Sequence, residues 1–405
     1  MRNRRPRFFI LLAFLLLLLP LPAQAALTPV GAPLAIADES PCSTDQTLEV
    51  IATPKGAFEV VWVDDFDFVV KGRRFARNLQ PSGPPRTLLP LHGGLFFSEL
   101  AGIWAGRYEL AMNALDFGNN PGDPVTAYRV QLDLEGDPLA PPARVKPPRF
   151  LGLAPAAGGD SLQFRFEPPI FGGPGPCQSW GLLARRVDRS GAPLSAESRV
   201  NSRASAPALG PLSEVDRLPD DTFVVAYGTC HKFTGVVVRR LNAAGAPVGK
   251  PIDLPLPDQP TALALAARGG ADLAVAARPS RPSAGAVGVY TWAVVNGQVF
   301  GPTHISAPPG ASNALLVDLA ASPAGGYLLL FRDRDAEPIT LFAQELDARG
   351  VPRGAPLAIT GEGESGATGA IASLPNGRWL VVTRAQSGEG DACRERLVGI
   401  VLAGG

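Results

Sequence analysis

Acidic and amide side chains gather in four short polar segments of the sequence. The segments contribute Asp64, Asp65 and Asp67; Asp116, Asn119, Asn120 and Asp123; Asp333 and Asp335; and Glu389 and Asp391. Carboxylate and amide oxygens are the ligands that Ca²⁺ takes, six to eight at a time. None of the segments matches the D-x-D-x-D-G pattern of a calcium loop, so acids that face the solvent are the simpler interpretation. We expect no resident cofactor and no metal, with Ca²⁺ as the alternative.

Residues for metal or nucleophilic catalysis are few. The chain has three histidines, His92, His231 and His304, and none is paired with another at metal-ligand spacing. The G-x-S-x-G, H-E-x-x-H and phosphate-binding glycine-loop motifs do not occur in the sequence. The pattern favours a binding protein over an enzyme, and we assign no catalytic residues.

A glycine-centred turn recurs along the chain and must position any binding residues. The turn glycines are Gly31, Gly83, Gly136, Gly191, Gly245, Gly297, Gly350 and Gly404, at intervals of 52 to 55 residues. Typical copies read LNAAGAPVGK (241–250) and LDARGVPRGA (346–355). Asp or Asn can bond the turn backbone, Gly tolerates positive φ, and Pro stiffens the exit, so each copy predicts a β-hairpin.

A second pair of strands is predicted before each hairpin. Short apolar runs such as FEVVWV (58–63), FVVAY (223–227) and YLLLF (327–331) each follow another apolar run. Four strands in about 53 residues, repeated seven times, are typical of a β-propeller, in which each four-stranded sheet is one blade. The sequence therefore predicts an all-β, seven-bladed propeller with four antiparallel strands per blade.

The two ends of the chain favour a closed ring. The mature chain starts with an isolated turn and outer strand (27–37) and stops at Gly404-Gly405, where the next turn is due. We expect residues 395–404 to form the third strand of the last blade and residues 33–37 to supply its fourth. The alternative, an open array of hairpins, would leave a complete unit at each end.

The repeat resembles that of bacterial secreted β-propeller proteins. The resemblance rests on FVVAY…VVVRRLNAAGAPVGKPIDL and YLLLF…LFAQELDARGVPRGAPLAI and covers about residues 27–405. It implies the propeller fold and brings no catalytic residues, because that group is mostly uncharacterised. One repeat departs from the pattern, with Val294 and Val299 at the positions of the Asp and the Pro.

The propeller frame gives the chain two unequal faces. One face would carry tight turns, and the other would carry the longer segments 64–72, 113–124, 167–180, 228–234, 278–285, 332–338 and 385–395. Binding residues are concentrated on such loops. We therefore expect the acidic and amide residues listed above, together with Trp180, to contact a ligand there. Trp62 and Trp379 lie within second strands and are expected to pack between blades.

All four cysteines fall in segments of the long-loop face. An even number in an exported chain favours disulfides. Cys177 and Cys230 occupy equivalent loops of neighbouring blades, while Cys42 follows the strand donated to the last blade and Cys393 lies in that blade's own loop. The frame thus predicts the pairs Cys42–Cys393 and Cys177–Cys230.

The first 25 residues have the form of a signal peptide. A start with four arginines, an apolar run at 8–19 and Ala23-Gln24-Ala25 predict export with cleavage before Ala26. The run is too short to span a membrane, so we expect no membrane anchor after cleavage. Removing Arg2, Arg4, Arg5 and Arg7 leaves 33 basic residues against 37 acidic ones, which argues against a nucleic-acid partner.

The sequence thus predicts one propeller domain, residues 26–405, in a periplasmic or extracellular monomer. The predicted function is to bind a protein, peptide or glycan through the long-loop face. The alternative is a hydrolase or lyase that acts on polysaccharide with carboxylates at the central channel. A pair of carboxyl groups about 5–10 Å apart at the pore mouth would favour that alternative.

Overall fold

The structure is a computed structural model of the chain. It describes residues 27–42, 48–53, 55–64, 69–90, 95–101, 108–116, 126–132, 143–145, 150–156, 160–167, 181–188, 190–201, 213–230, 234–270, 272–280, 288–306, 314–333, 337–361, 364–388 and 392–404. The predicted signal peptide lies outside these residues. So do ten of the predicted ligand-binding and disulfide residues: Asp65, Asp67, Asn119, Asn120, Asp123, Cys177, Trp180, Asp335, Glu389 and Asp391.

Within the described residues, antiparallel strands form six four-stranded sheets and one five-stranded sheet. The first strands are β3 (Leu48–Ala52), β7 (Leu95–Ala101), β11 (Phe150–Pro155), β15 (Ser213–Arg217), β19 (Pro260–Gly269), β23 (Ala314–Ala321) and β27 (Ser365–Ser373). The second strands are β4 (Phe58–Asp64), β8 (Tyr108–Asp116), β12 (Ser161–Glu167), β16 (Phe223–Cys230), β20 (Asp272–Pro279), β24 (Tyr327–Asp333) and β28 (Arg378–Ser387).

The third strands are β5 (Val69–Phe75), β9 (Thr126–Leu132), β13 (Gly181–Val187), β17 (Thr234–Leu241), β21 (Gly288–Val295), β25 (Leu341–Leu346) and β29 (Arg394–Ala403). The fourth strands are β6 (Arg86–Pro90), β10 (Ala143–Val145), β14 (Ser198–Arg199), β18 (Pro247–Pro255), β22 (Gln298–Ser306), β26 (Leu357–Ala358) and β2 (Leu34–Pro41). A short strand, β1 (Thr28–Pro29), and a 3-10 turn, Pro375–Gly377, complete the described elements.

The second strands whose side chains are described are buried on both sides, which explains their continuous apolar sequence. In β4, Phe58, Val60 and Trp62 pack against the sheet of β27–β29, in a cluster with Leu380 and Val382. Similar clusters lie between the other successive sheets from β11–β14 onward, and Trp379 fills the one between β23–β26 and β27–β29. The predicted packing of Trp62 and Trp379 between sheets is confirmed.

The two ends of the described chain belong to the same sheet. β2 pairs antiparallel with β29, with Leu34 opposite Gly399 and Ser40 opposite Glu395. The predicted contribution of the amino-terminal segment to the last sheet is therefore confirmed. β1 was not expected, and it extends the same pairing by setting Thr28 opposite Ala403.

The recurring hairpin turn packs onto the preceding sheet in at least two repeats. Gly245 has a φ of +88°, and a Cβ on it would lie 2.7 Å from Leu162 Cδ1. Gly350 has a φ of +76° and lies against the backbone of Trp292 and Ala293. Glycine is required there both for its backbone conformation and for the close approach.

Several strands extend further than the sequence predicted. Asp64 ends β4 opposite Val69, Asp116 ends β8 opposite Thr126, and Asp333 ends β24. These three residues had been assigned to long loops, and that assignment is wrong. The hairpin ladder extends as far as these polar residues because their backbone groups still have partners on the adjacent strand.

Candidate binding face

The alternation of strand direction gives the connections two sides, as predicted. Turns between first and second strands and between third and fourth strands lie on one side, which we call the turn face. The ends of the second strands and the starts of the third strands lie on the other, which we call the loop face. Most of the residues that connect them, 65–68, 117–125, 168–180, 231–233, 280–287, 334–340 and 388–393, lie outside the described residues.

Polar groups on the turn face bond their own backbone. Asp188 Oδ1 accepts hydrogen bonds from the N–H groups of Ser190 and Ala192, at 2.8 and 2.9 Å. Asn242 and Asp347 make the same pair of bonds in their own turns. The oxygens that the sequence repeats at this position therefore fix the turn and are committed to it.

Ion pairs also occupy the turn face. Arg186 bridges Asp160 and Asp221, with N–O distances of 3.1 and 3.3 Å, and Arg217 pairs with Asp221 at 2.6 Å. Asp272 pairs with Arg268 and accepts the backbone N–H of Asn296, which is the main reason that its pKa is lowered. This side of the molecule is held by contacts within and between sheets.

Two of the predicted ligand-binding acids lie on the loop face with described side chains. Asp64 Oδ2 accepts a hydrogen bond from Lys71 Nζ at 2.7 Å, within the β4–β5 hairpin. Asp333 is buried, with 2% of its surface exposed. Both differ from the solvated loop acids that the sequence suggested, since each is held by the protein around it.

A disulfide joins Cys42 to Cys393 on the loop face. Their Cα atoms are 5.5 Å apart, although 351 residues separate them in the chain. This predicted pair is confirmed, and it covalently links β2 to the connection that precedes β29. The second predicted pair is untested, because Cys177 lies outside the described residues.

A buried ion pair beneath the loop face was not anticipated. Arg384 on β28 lies 2.6 Å from Glu395 on β29, and its Nη2 donates to Val63 O on β4 at 2.7 Å. The signal in the sequence was an arginine placed shortly after the apolar run WLVV (379–382) of β28. A charge in a strand that packs on both sides must be paired, because an unpaired charge would be costly to bury.

Two carboxylates on first strands were also missed. Asp216 on β15 and Asp318 on β23 each accept backbone N–H groups from the first strand of the next sheet. Burial raises the pKa of each to about 6. In the sequence they stand in the short segments EVDRL (214–218) and LVDLA (316–320).

The described part of the chain contains no group of three or more His, Cys, Asp or Glu residues arranged to hold a metal ion. His304 is exposed on β22, where its ring lies 5.0 Å from the ring of Tyr290. His92 and His231 lie outside the described residues. Of the helices in the described ranges, none is long and apolar enough to cross a membrane.

Comparison with family models and with curated proteins found no match. Solved structures do share the fold. An ulvan lyase of polysaccharide lyase family 25 matches with a TM-score of 0.51 and 13% identity, over 94% of this chain and 95% of that one. A GH74 xyloglucanase from Xanthomonas campestris matches with a TM-score of 0.53 and 15% identity, over 90% of this chain and 54% of that one.

The chain thus spans about half the length of the xyloglucanase. The six-bladed β-propeller lectin of Aleuria aurantia, which recognises fucose, gives a TM-score of 0.47 and 11% identity, over 77% of this chain and 96% of that one. At these identities the likeness concerns the fold. The chain has an all-β fold of antiparallel, mostly four-stranded sheets, and its structural neighbours include β-propellers.

Proposed function

We propose that this chain is an exported, seven-bladed β-propeller that binds a glycan through its loop face. The five-stranded sheet would be the seventh blade, and packing of β3–β6 against β7–β10 would close the ring. The pairing of β2 with β29 supports this architecture, because it removes the free end that an open array would have.

The two faces use their polar groups differently, and this difference favours the loop face as the binding surface. Asp188, Asn242 and Asp347 are committed to their own turns, whereas the loop face receives the longer connections and is braced by the Cys42–Cys393 bond. Loops on a rigid scaffold are the usual place for binding residues. We expect the predicted ligand contacts in segments 65–68, 117–125, 168–180 and 388–393 to lie on this face.

The choice of a glycan is supported by the neighbours that share the fold. Two of them are named for the polysaccharides on which they act, ulvan and xyloglucan. A protein or peptide ligand is the competing possibility. Screening residues 26–405 against a glycan array and a peptide array, followed by calorimetry on the best hits, distinguishes the two.

Variants on the two faces test which of them binds the ligand. We expect Trp180→Ala and Asp116→Asn to weaken binding by tenfold or more, while Asp188→Asn on the turn face leaves it unchanged. Binding that survives both loop-face variants but is lost in Asp188→Asn would contradict the assignment.

The second candidate function is cleavage of a polysaccharide. It is favoured by one observation, the acids Glu49, Glu214, Asp216 and Asp318 on three first strands, where a closed ring would place them around its axis. However, Asp216 and Asp318 already accept backbone hydrogen bonds. Incubation with ulvan and xyloglucan, monitored by reducing ends and by absorbance of the unsaturated uronate, would reveal turnover and favour the enzyme.

A further inference from the structure

Five large apolar side chains are exposed among the described residues, by 39% to 54%: Val30, Leu194, Val248, Val299 and Val351. Each lies in or beside the glycine turn that precedes a fourth strand, one in each sheet from β11–β14 to the last. Single exposed apolar residues are common on protein surfaces. Here all five share one kind of turn, so the turn face presents one apolar side chain per sheet over five successive sheets.

The turns of neighbouring sheets touch one another. The turn Pro375–Gly377 of the last sheet lies between two others, because a Cβ on Gly377 would be 3.3 Å from Ala324 Cβ, and a Cβ on Gly56 would be 2.7 Å from Pro375 Cγ. Ser195 Oγ donates to Ala244 O at 2.8 Å, which joins the turns of the β11–β14 and β15–β18 sheets. The exposed side chains therefore stand on a surface shared by several sheets.

The acids in the described turns are already occupied. Each of the six either pairs with an arginine or bonds the backbone of its own turn. Asp160 and Asp221 pair with Arg186, Asp220 pairs with Arg240, Glu197 pairs with Arg165, and Asp188 and Asp347 accept backbone N–H groups.

Several cations on this face have no acidic partner among the described residues. Lys55, Arg77 and Lys250 are exposed, and Lys250 lies two residues after the exposed Val248. Arg349 is also exposed, and its guanidinium lies over the ring of Phe300 at 5.0 Å, beside Val299 in sequence. Positive charge in excess of the paired acids thus accompanies the apolar side chains.

The turn of the β7–β10 sheet differs in sequence. Segment 133–137 contains Asp133, Glu135 and Asp137 and lies outside the described residues. The surface considered therefore runs from the β11–β14 sheet through the last sheet to β3–β6.

We propose that this part of the turn face docks onto the surface of an anionic phospholipid membrane. Apolar side chains spaced one per sheet can each enter the boundary between headgroups and acyl chains. A protein partner would instead need a continuous apolar centre within a polar rim. The excess cations attract anionic headgroups, and each strengthens binding about fivefold near the membrane surface.

Docking by the turn face leaves the loop face directed away from the membrane. The loop face could then meet a ligand while the protein is held at the lipid surface. The proposal does not depend on a glycan ligand, and its test uses lipid alone.

The test measures partition of residues 26–405 onto sedimented phosphatidylcholine vesicles, with and without about 30 mol% phosphatidylglycerol. We expect binding to the anionic vesicles to be at least about tenfold stronger and to be lost when NaCl rises from about 50 to about 500 mM, because salt screens the attraction. Lys250→Gln/Arg349→Gln should weaken binding about tenfold or more. Val248→Ser/Val299→Ser should weaken it about fivefold or more, since the apolar side chains no longer enter the lipid.

Arg394→Gln/Arg396→Gln is the matched control. It removes two exposed arginines at the loop-face end of β29 and should leave vesicle binding unchanged. Circular-dichroism melts that coincide with the wild type establish that each variant is folded. Equal binding to both kinds of vesicle, or equal losses in the turn-face and loop-face arginine variants, would overturn the proposal. Absence of binding to either vesicle would also overturn it and would favour a protein partner for this face.

Discussion

Arg384 and Glu395 form a salt bridge inside the protein, with 2.6 Å between Nη1 and Oε1. Their side chains are 1% and 7% exposed. The same guanidinium donates from Nη2 to Val63 O at 2.7 Å, and Val63 belongs to the neighbouring sheet. One side chain near the carboxyl terminus therefore holds β28, β29 and β4 together.

Arg384→Met should destabilise the protein by about 3–5 kcal/mol, because it leaves the Glu395 carboxylate buried without its cation. The double variant Arg384→Met/Glu395→Met should be less affected than the single one. Urea unfolding followed by tryptophan fluorescence measures both. The exposed pair Arg396–Glu364 is the control, and Arg396→Met should cost less than about 1 kcal/mol. Equal losses for Arg384→Met and Arg396→Met would contradict the interpretation.

The spacing of the turn glycines was sufficient to predict the sheets, because a hairpin needs positive φ at one position and strands need apolar runs on either side. The same spacing predicted the Cys42–Cys393 bond, since the four-strand repeat brought both residues next to the last sheet. It could not show where strands end, because the ladder of β4 and β8 continues through Asp64 and Asp116. Nor could it reveal Arg384, Asp216 or Asp318 as structural groups, since their partners include backbone atoms of other sheets.

Removal of the Cys42–Cys393 bond should lower the free energy of unfolding by about 2–4 kcal/mol, because the bond restricts the unfolded chain over 351 residues. Cys42→Ser/Cys393→Ser should show this loss in guanidinium unfolding.

Mass mapping of non-reduced peptides should find Cys177 linked to Cys230. Another pairing of those two cysteines would contradict the predicted equivalence of their loops.

Gly245→Ala should destabilise the chain by about 2–3 kcal/mol, since it adds a clash with Leu162 to the strain of a φ of +88°. Gly31→Ala separates the two causes, because Gly31 has a φ of +80° and open space around it. That variant should cost only about 1 kcal/mol. Thermal melts of both proteins check the difference, and equal losses would mean that the turn does not depend on its contact with the preceding sheet.

Protonation of Asp272 should contribute to the unfolding of the protein in acid. Its pKa is lowered, first by the backbone N–H of Asn296 and then by Arg268, so the stability it provides is present above the unfolded pKa and is lost as the pH falls through the folded value. We expect Asp272→Asn to reduce the loss of stability that the wild type shows between pH 4.5 and 2.5. Melting temperatures at those two pH values provide the measurement, and an unchanged difference would refute the assignment.

The amino-terminal strands should be needed to complete the last sheet. β2 covers the edge of β29, and Leu27 is 4% exposed in the cluster between the last two sheets, so a chain lacking residues 26–42 would expose an apolar strand edge. We expect that truncated chain to aggregate on refolding, and a synthetic peptide of residues 26–42 to restore a soluble, cooperatively unfolding protein. A peptide with the same composition in scrambled order is the control, because its alternation no longer matches the register of β29. Rescue by both peptides, or a truncated chain that folds unaided, would show that the pairing of the two ends is dispensable.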